Sequence, residues 1–124
     1  NTEGAIGYLN YGYVVGGKFQ QAAVQNKAGN FVKANSETSA AGLAQIKLDS
    51  KLRGTDANPA GSNAFPIVSL TWILAEPGHK VDSVQPALRY MLSEEAQGIS
   101  DSLGYVPLPE SLRQKSLAAV ESLR

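Results

Sequence analysis

Apolar residues along the chain follow strand-like and helix-like spacings in turn, and glycines and prolines separate the segments. Ala5 to Leu9 predicts a short buried strand, and residues 11–15 predict a short helix or turn that Gly16-Gly17 ends. Residues 21–33 predict a β-hairpin, because the turn residues Asn26 to Asn30 lie between two strand-like runs. The first third is therefore expected to consist of short elements joined by tight turns.

The middle of the chain predicts one helix, one long loop and one central strand. Ser36 is the expected N-cap of a helix over residues 37–48, whose apolar positions recur at roughly helical spacing. Residues 49–65 are rich in Asp, Ser, Gly, Asn and Pro and predict the one long loop. Pro66 to Ala75 is apolar at nearly every position, so it predicts a strand covered on both faces.

The last third predicts three helices. The first runs from about Val84, with Pro86 tolerated in its first turn. Ser93 is the expected N-cap of the second helix, and Gly104 is its expected left-handed terminator. Pro109 is placed to open the last helix.

The order of these elements indicates an α/β fold, because strands and helices alternate along the chain. Only one central strand and one hairpin accompany the three helices of the second half. A sheet of this size is too small to pack against all three helices, and we therefore expect an incomplete fold.

Composition and charge exclude several functional classes. The 124 residues are 43% hydrophobic, and eleven basic residues balance eleven acidic ones. Neither a nucleic-acid footprint nor a polybasic membrane patch is expected, because both need clustered positive charge. The absence of cysteine excludes disulfides, thiolate metal sites and cysteine nucleophiles. The first residues lack a basic and then apolar pattern, so we expect no signal peptide within this chain.

Few residues are candidates for catalysis. His79 is the only histidine, so a Ser-His-Asp triad would need it and a zinc site would lack a second imidazole. Its turn-like surroundings predict an exposed loop histidine instead. Glu94 and Glu95 could act as acid and base, but a predicted helix start favours a capping role. We expect no catalytic residue, no metal site and no cofactor.

Glycines and hydroxyl groups are candidates for holding an anion. Gly4 and Gly7, or Gly16-Gly17, could bring backbone amides close to phosphate. Neither pair matches a P-loop or a dinucleotide fingerprint, so turn formation is the favoured interpretation. Ser69 and Thr71 share one face of the predicted central strand, where hydroxyls contact backbone more often than a ligand.

Aromatic and arginine side chains complete the candidates. The aromatic residues near the start are Tyr8, Tyr11, Tyr13 and Phe19. They lack interleaved basic residues apart from Lys18, so packing in a core or a cleft wall is expected rather than stacking on bases. The arginines are Arg53, Arg89, Arg113 and Arg124. Arginine suits phosphate, but none of these has the neighbouring Ser, Gly and Thr donors that would complete an anion cage.

Four motifs in a fixed order resemble one known family. They are Gly4 to Tyr13, Ala23 to Val32, Pro66 to Leu74 and Leu103 to Pro109. Together they resemble the C-terminal portion of the periplasmic phosphate-binding proteins of phosphate ABC transporters, the PstS-like family. Residues 49–65 and 76–79 depart from the family pattern, but both stretches are predicted loops.

The resemblance implies a fold of the periplasmic-binding-protein type II kind, in which two α/β lobes close on one phosphate ion. Residues 1–65 would be the C-terminal part of the second lobe, including the loop at 49–65. Residues 66–124 would be a crossover strand and helices that complete the first lobe. The family binds phosphate through Thr, Ser and Asp groups of its first part and through a central Arg-Ser-Gly-Thr cluster. This sequence has no counterpart of either, so no ligand residue is transferred to it.

The function implied by the resemblance is transport rather than catalysis. The chain would be the C-terminal fragment of a substrate-binding subunit that binds inorganic phosphate with high affinity and delivers it to an ABC importer. Its partners would be phosphate in the complete protein, the transporter permease and the N-terminal half as a separate chain, in a bacterial periplasm or at the cell surface. The alternative is a stand-alone interaction domain derived from that family without ligand binding. An enzyme acting on phosphate esters is disfavoured, since a nucleophile, metal ligands and a base are all lacking.

Overall fold

The computed structural model describes residues 2–17, 19–78 and 81–124. Within them lie five α-helices, one 3-10 turn and a two-stranded sheet. The elements in order are α1 (Tyr11–Val15), β1 (Val24–Gln25), β2 (Phe31–Val32), α2 (Ser36–Leu43), α3 (Val81–Met91), α4 (Glu94–Ser100), the 3-10 turn Asp101–Leu103 and α5 (Glu110–Glu121). The protein is thus mixed helix and sheet, but two antiparallel strands do not by themselves confirm the predicted α/β fold.

The hairpin and the short helix α1 confirm two predictions from the first third. β1 and β2 pair antiparallel, with Val24 opposite Val32, and each strand has only two residues. The turn closes where Asn26 N–H donates to the Asn30 carbonyl at 2.8 Å. The paired region is therefore shorter than the predicted span of 21–33.

Helix α2 begins and ends earlier than predicted. Its N-cap is Asn35, not Ser36: Asn35 Oδ1 accepts from Thr38 N–H at 2.8 Å, and Thr38 Oγ1 accepts from Asn35 N–H at 3.1 Å. This reciprocal pair is a capping box, which satisfies two otherwise unpaired donors. The helix ends at Leu43 rather than at 48, because the chain leaves it in a tight turn in which Ile46 N–H donates to the Leu43 carbonyl. That turn places Ile46 in the core.

The caps of the last helices are confirmed, but one proline is not where we predicted it. Ser93 Oγ accepts from Ala96 N–H at 3.1 Å and caps α4. Gly104 ends the 3-10 turn with φ of 77°, and Pro109 is the N-cap residue of α5. Helix α3 begins at Val81, so Pro86 is its sixth residue and lies beyond the first turn. It has no N–H to donate to the preceding turn, so the helix there lacks one backbone hydrogen bond.

Both predicted single strands are wrong. Residues 5–9 are exposed and form no strand, with Ile6 98% and Tyr8 99% accessible. Residues 66–75 form no strand, and neither helix nor strand is assigned between Leu43 and Gly78. The predicted long loop at 49–65 is therefore only part of a longer irregular segment. The physical reason is that a strand needs a hydrogen-bonded neighbour, and the described residues offer only the hairpin.

The hydrophobic core is small and joins the two halves of the sequence. Leu43 and Ile46 pack with Leu112 of α5, and partly buried Leu48, Val68, Leu70 and Val106 surround them. Helix α5 also lies against α3, where Gln85 Nε2 donates to the Val120 carbonyl at 2.9 Å. The core is thus built from α2, the irregular segment and α5.

The accessible surface is large for a chain of this mass. It measures 8973 Å², whereas a folded monomer of 13.1 kDa exposes about 6,400 Å². The accessible surface therefore exceeds the expected value by about 2,600 Å², and many large apolar side chains are exposed on it. Within the described residues, no helix is both long and apolar enough to span a membrane.

Candidate functional site

An open apolar groove lies between the irregular segment and the last helices. Its volume is about 730 Å³, and its walls are residues 51–55, residues 71–75 and residues in or just after α3 and α5. The third wall consists of Leu88, Leu92, Ser116, Ala119, Val120 and Leu123. A lining of this kind suits an apolar group rather than an anion.

One rim of the groove is held by a tryptophan. Trp72 Nε1 donates to the Leu52 carbonyl at 2.8 Å and ties residues 71–75 to residues 51–55. Leu52 has φ of 58°, the one non-glycine residue with positive φ among those described. A leucine in the left-handed region costs free energy, so the surrounding contacts must hold it there.

The same rim carries an ion pair that occupies Arg53. Asp49 Oδ1 accepts from the N–H groups of Lys51 and Arg53 at 2.8 and 2.9 Å. The Arg53 guanidinium donates to Asp49 Oδ2 from Nε at 2.9 Å and from Nη2 at 2.8 Å. The backbone N–H of Arg53, followed by its guanidinium, lowers the pKa of Asp49 to about 2. Arg53 is therefore engaged by its own turn.

Two further arginines are engaged by carboxylates, Arg89 by one of another helix and Arg113 by one of its own helix. Arg89 of α3 pairs with Glu121 of α5. Arg113 is only 11% exposed and donates to Glu110 at 2.8 and 2.9 Å. These bonds raise the pKa of Arg113 and lower that of Glu110. Arg53, Arg89 and Arg113 are therefore each engaged by a carboxylate of this chain.

Arg113 also reaches back to the start of α4. It donates to the Leu92 carbonyl at 3.1 Å and lies 3.5 Å from Glu94 Oε1. Glu94 and Glu95 occupy the first turn of α4 behind the Ser93 cap, and both are exposed. This position is the one that the capping interpretation predicts.

The aromatic and glycine candidates lie at the surface. Core packing is wrong for Tyr8, Tyr13 and Phe19, which are exposed, whereas Tyr11 is half-buried. The backbones of Gly4 and Gly7 stand in open space, with no heavy atom near the position of a Cβ. These groups do not form a pocket for an anion.

The remaining candidates are exposed or lie outside the described residues. Ser69 and Thr71 are both exposed, and Thr71 lines the groove. His79 lies outside the described residues. Among the described ones, no three His, Asp or Glu side chains come together as metal ligands would.

Sequence reasoning missed one buried polar residue that organises the irregular segment. Asn26 is 4% exposed, and its Nδ2 donates to the carbonyls of Gly61, Ser62 and Ala64 at 3.0 to 3.2 Å. Its Oδ1 accepts from the N–H groups of Ala28 and Asn30. The turn at residues 26–30 could be predicted from its local sequence. The partner carbonyls at 61–64 are 35 to 38 residues away, so no local pattern predicts their contact with Asn26.

A second contact that the sequence does not announce joins the first and last motifs. Gly12 of α1 lies against Gly104 at the end of the 3-10 turn. The backbones of these two glycines are thus in direct contact. Two motifs singled out for separate reasons are neighbours in the fold.

Comparison with known proteins points to one group of relatives. No family model matches the chain. The phosphate-binding protein PstS of Methanocaldococcus jannaschii is 27% identical over an alignment of 140 residues, which covers 100% of this chain and 36% of that protein. The phosphate-binding proteins PstS of Pasteurella multocida and Xylella fastidiosa are 28% and 29% identical and cover 90% and 89% of the chain.

The chain spans about a third of the length of the relatives it matches. The similarity is distant and partial, and it is consistent with a PstS-like fragment. It supports an origin in a phosphate-binding family whose members are named as binding proteins.

Proposed function

We propose that this chain is the C-terminal part of the substrate-binding subunit of a phosphate ABC importer. In the complete protein, inorganic phosphate is bound with high affinity and delivered to the transporter permease, in the periplasm or at the cell surface. The observation that carries the proposal is the similarity to PstS proteins over 89–100% of this chain but only about a third of theirs. The proposal includes no catalytic step.

Two lobes would share the chain. Residues 1–65 would contribute to the second lobe, and residues 66–124 would cross back and complete the first. The large accessible surface supports this assignment, because a part of a larger fold exposes faces that the rest of the polypeptide covers.

Phosphate ligands would come from the other part of the complete protein. A desolvated phosphate needs many satisfied donors. Carboxylates of this chain pair with Arg53, Arg89 and Arg113. This supports the view that these arginines stabilise the fold and do not bind the phosphate ion.

Calorimetric titration tests the proposal. The isolated chain is titrated with inorganic phosphate, and so is a chimera in which it replaces the matched third of the Pasteurella multocida PstS. We expect no submillimolar binding by the isolated chain and phosphate binding by the chimera, with sulfate as the control anion. Submillimolar phosphate binding by the isolated chain would contradict the proposal that the phosphate ligands lie in the other part of the complete protein. A folded chimera that does not bind phosphate would contradict the proposed phosphate-binding function.

The second candidate function is a stand-alone interaction domain without ligand. The observation that favours it is the core of Leu43, Ile46 and Leu112, which both halves of the sequence build. Among the described residues, every buried side-chain polar atom also has a hydrogen-bond partner. Scanning calorimetry distinguishes the two: a cooperative transition of the isolated chain supports the domain, and a dye-binding species without one supports the fragment.

A further inference from the structure

The hairpin has one face turned inward and one face left open. Val32 is 8% exposed, and its cross-strand partner Val24 is half-buried. On the other face Gln25 lies opposite Phe31, and both side chains are exposed, with Phe31 at 70%. A large aromatic ring that is held in water in this way is a suitable anchor for a partner.

Contacts within the chain hold the hairpin turn in place. Gly29 N–H donates to the Asn26 carbonyl at 2.9 Å, and Gln25 Nε2 donates to the Gly29 carbonyl at 3.1 Å. Asn30 Nδ2 donates at 2.9 Å to the Ser62 carbonyl, which is one of the three carbonyls that Asn26 also holds. The shape of the turn is therefore set before any partner binds, and preorganisation of this kind reduces the entropic cost of binding.

Positive charge is concentrated in this part of the chain. Residues 4–36 contain three lysines and no acidic residue, although the whole chain is neutral. Lys27 lies in the turn and Lys33 follows β2, and both side chains are exposed. Glu37, the next acidic residue along the chain, accepts from Asn63 Nδ2 at 3.0 Å. The hairpin therefore carries positive charge next to an exposed aromatic ring.

The lysines distinguish this surface from the apolar faces that the rest of a larger fold would cover. We define the hairpin patch as Lys27, Phe31 and Lys33. Lysine is almost never fully buried unless it is paired, and residues 65–75, by contrast, carry no charge at all. Interfaces between separate proteins enrich aromatic residues at the centre and keep a polar rim. We therefore expect the hairpin patch to stay at the surface of a complete protein.

We propose that the hairpin patch docks on an acidic surface of the transporter permease. The proposal rests on the proposed function, which supplies the partner but not the surface that meets it. Charge complementarity argues for an acidic site, because opposite charges at a rim steer two proteins together and speed their association. Phe31 supplies the apolar area that is buried on docking. Three lysines on a neutral chain are too few for a nucleic-acid footprint.

Co-sedimentation with vesicles measures the docking. The phosphate importer of Pasteurella multocida, in vesicles of phosphatidylcholine, is mixed with the chimera that carries this chain, and we expect the chimera to sediment with them. Lys27→Glu combined with Lys33→Glu is expected to weaken this binding at least roughly tenfold, because repulsion replaces attraction. Phe31→Ala is expected to weaken it by a similar factor, because it removes the anchor.

A second pair of lysines controls for the change in net charge. Lys47 and Lys115 are also exposed, and they lie outside the hairpin. Lys47→Glu combined with Lys115→Glu changes the net charge by the same amount and is expected to leave docking within about twofold of the unchanged chimera. Added salt is expected to weaken docking of the unchanged chimera more than that of the hairpin variant, since salt screens the rim charges. Calorimetry is expected to give the same phosphate affinity for both variants.

Competition keeps the test decisive if the chimera does not fold. The isolated chain is expected to displace the Pasteurella multocida PstS from the same vesicles. The isolated chain with Lys27→Glu and Lys33→Glu is expected to need at least roughly tenfold more protein for the same displacement.

The outcomes for docking and for function are distinct. A chimera that binds phosphate but docks equally well with both hairpin lysines reversed overturns the docking surface and leaves the function standing. Hairpin-dependent docking by a folded chimera that does not bind phosphate overturns the function and supports the docking surface. Hairpin-dependent binding to vesicles without the importer identifies a lipid surface as the occupant and overturns the proposed one. Failure both to co-sediment and to compete also overturns it.

Discussion

Gly104 lies so close to Gly12 that a Cβ on Gly104 would overlap the Cα of Gly12. Gly104 also has φ of 77°, a conformation that L-residues with a side chain adopt at a cost. Two independent constraints, one conformational and one steric, therefore demand glycine at this position. The contact joins the short helix α1 to the connection between α4 and α5.

Gly104→Ala is expected to lower the free energy of unfolding by about 2–4 kcal/mol, from the left-handed conformation and the overlap together. Urea denaturation of the isolated chain measures it. Gly98→Ala is the matched control: Gly98 lies inside α4 with open space at its Cβ position. That change is expected to stabilise the protein by about 0.5–1 kcal/mol. Equal effects of the two substitutions would show that the Gly12–Gly104 contact contributes nothing.

Asn26→Ala is expected to cost about 2–4 kcal/mol, because it leaves the carbonyls of Gly61, Ser62 and Ala64, the last of them buried, without their amide donor. Asn26→Asp keeps the acceptor for Ala28 and Asn30 but turns a carboxylate oxygen toward those carbonyls, so it is expected to destabilise as well. Asn30→Ala removes one exposed bond to the Ser62 carbonyl and is expected to cost less than about 1 kcal/mol. A urea midpoint for Asn26→Ala no lower than that for Asn30→Ala would contradict the role of Asn26.

The stability of the protein is expected to fall in acid partly through Asp49. Its pKa is lowered from 3.8 to about 2 by the hydrogen bonds of Arg53. A depressed carboxyl pKa stabilises the fold above the unfolded value, and this contribution is lost as the pH falls from about 4 to about 2. Asp49→Asn is expected to remove this part of the pH dependence, and Arg53→Gln to raise the NMR titration midpoint of Asp49. If Arg53→Gln left the NMR titration midpoint of Asp49 unchanged, that result would contradict the ion pair.

Arg113 and Arg89 are expected to differ in how much they contribute to thermal stability. The decrease in melting temperature should be several-fold larger for Arg113→Ala than for Arg89→Ala. The reason is that the Arg113 side chain is nearly buried and donates hydrogen bonds to Glu110 and the Leu92 carbonyl. The exposed pair of Arg89 and Glu121 is expected to contribute less than about 1 kcal/mol. Arg113→Lys should not restore the stability, since a lysine cannot reproduce the forked contact. Thermal unfolding by circular dichroism compares the three.

The sequence predicted those features that depend on a few neighbouring residues. The Ser93 cap, the Gly104 terminator and the hairpin turn at residues 26–30 are all as expected. Each arises from a side chain or a φ angle acting within about four residues. The Asn35 cap was displaced from Ser36 by one position, because both residue types can cap and only the reciprocal bond with Thr38 decides.

Features that depend on distant partners could not be predicted. The apolar run at 66–75 has strand composition, but strand formation requires a neighbour that the hairpin does not provide. The groove is built from residues 51–55, residues 71–75 and two helices, so no local pattern announces it. Likewise, the buried role of Asn26 depends on carbonyls more than thirty positions later.

Trp72 gives the protein an intrinsic optical probe. It is the only tryptophan of the chain, and its ring lines the groove while its indole N–H is fixed to the Leu52 carbonyl. Because the side chain is still 43% exposed, its emission would shift toward shorter wavelength when another polypeptide segment covers the groove. Assembly of the chain with a partner can therefore be followed in real time without any attached label.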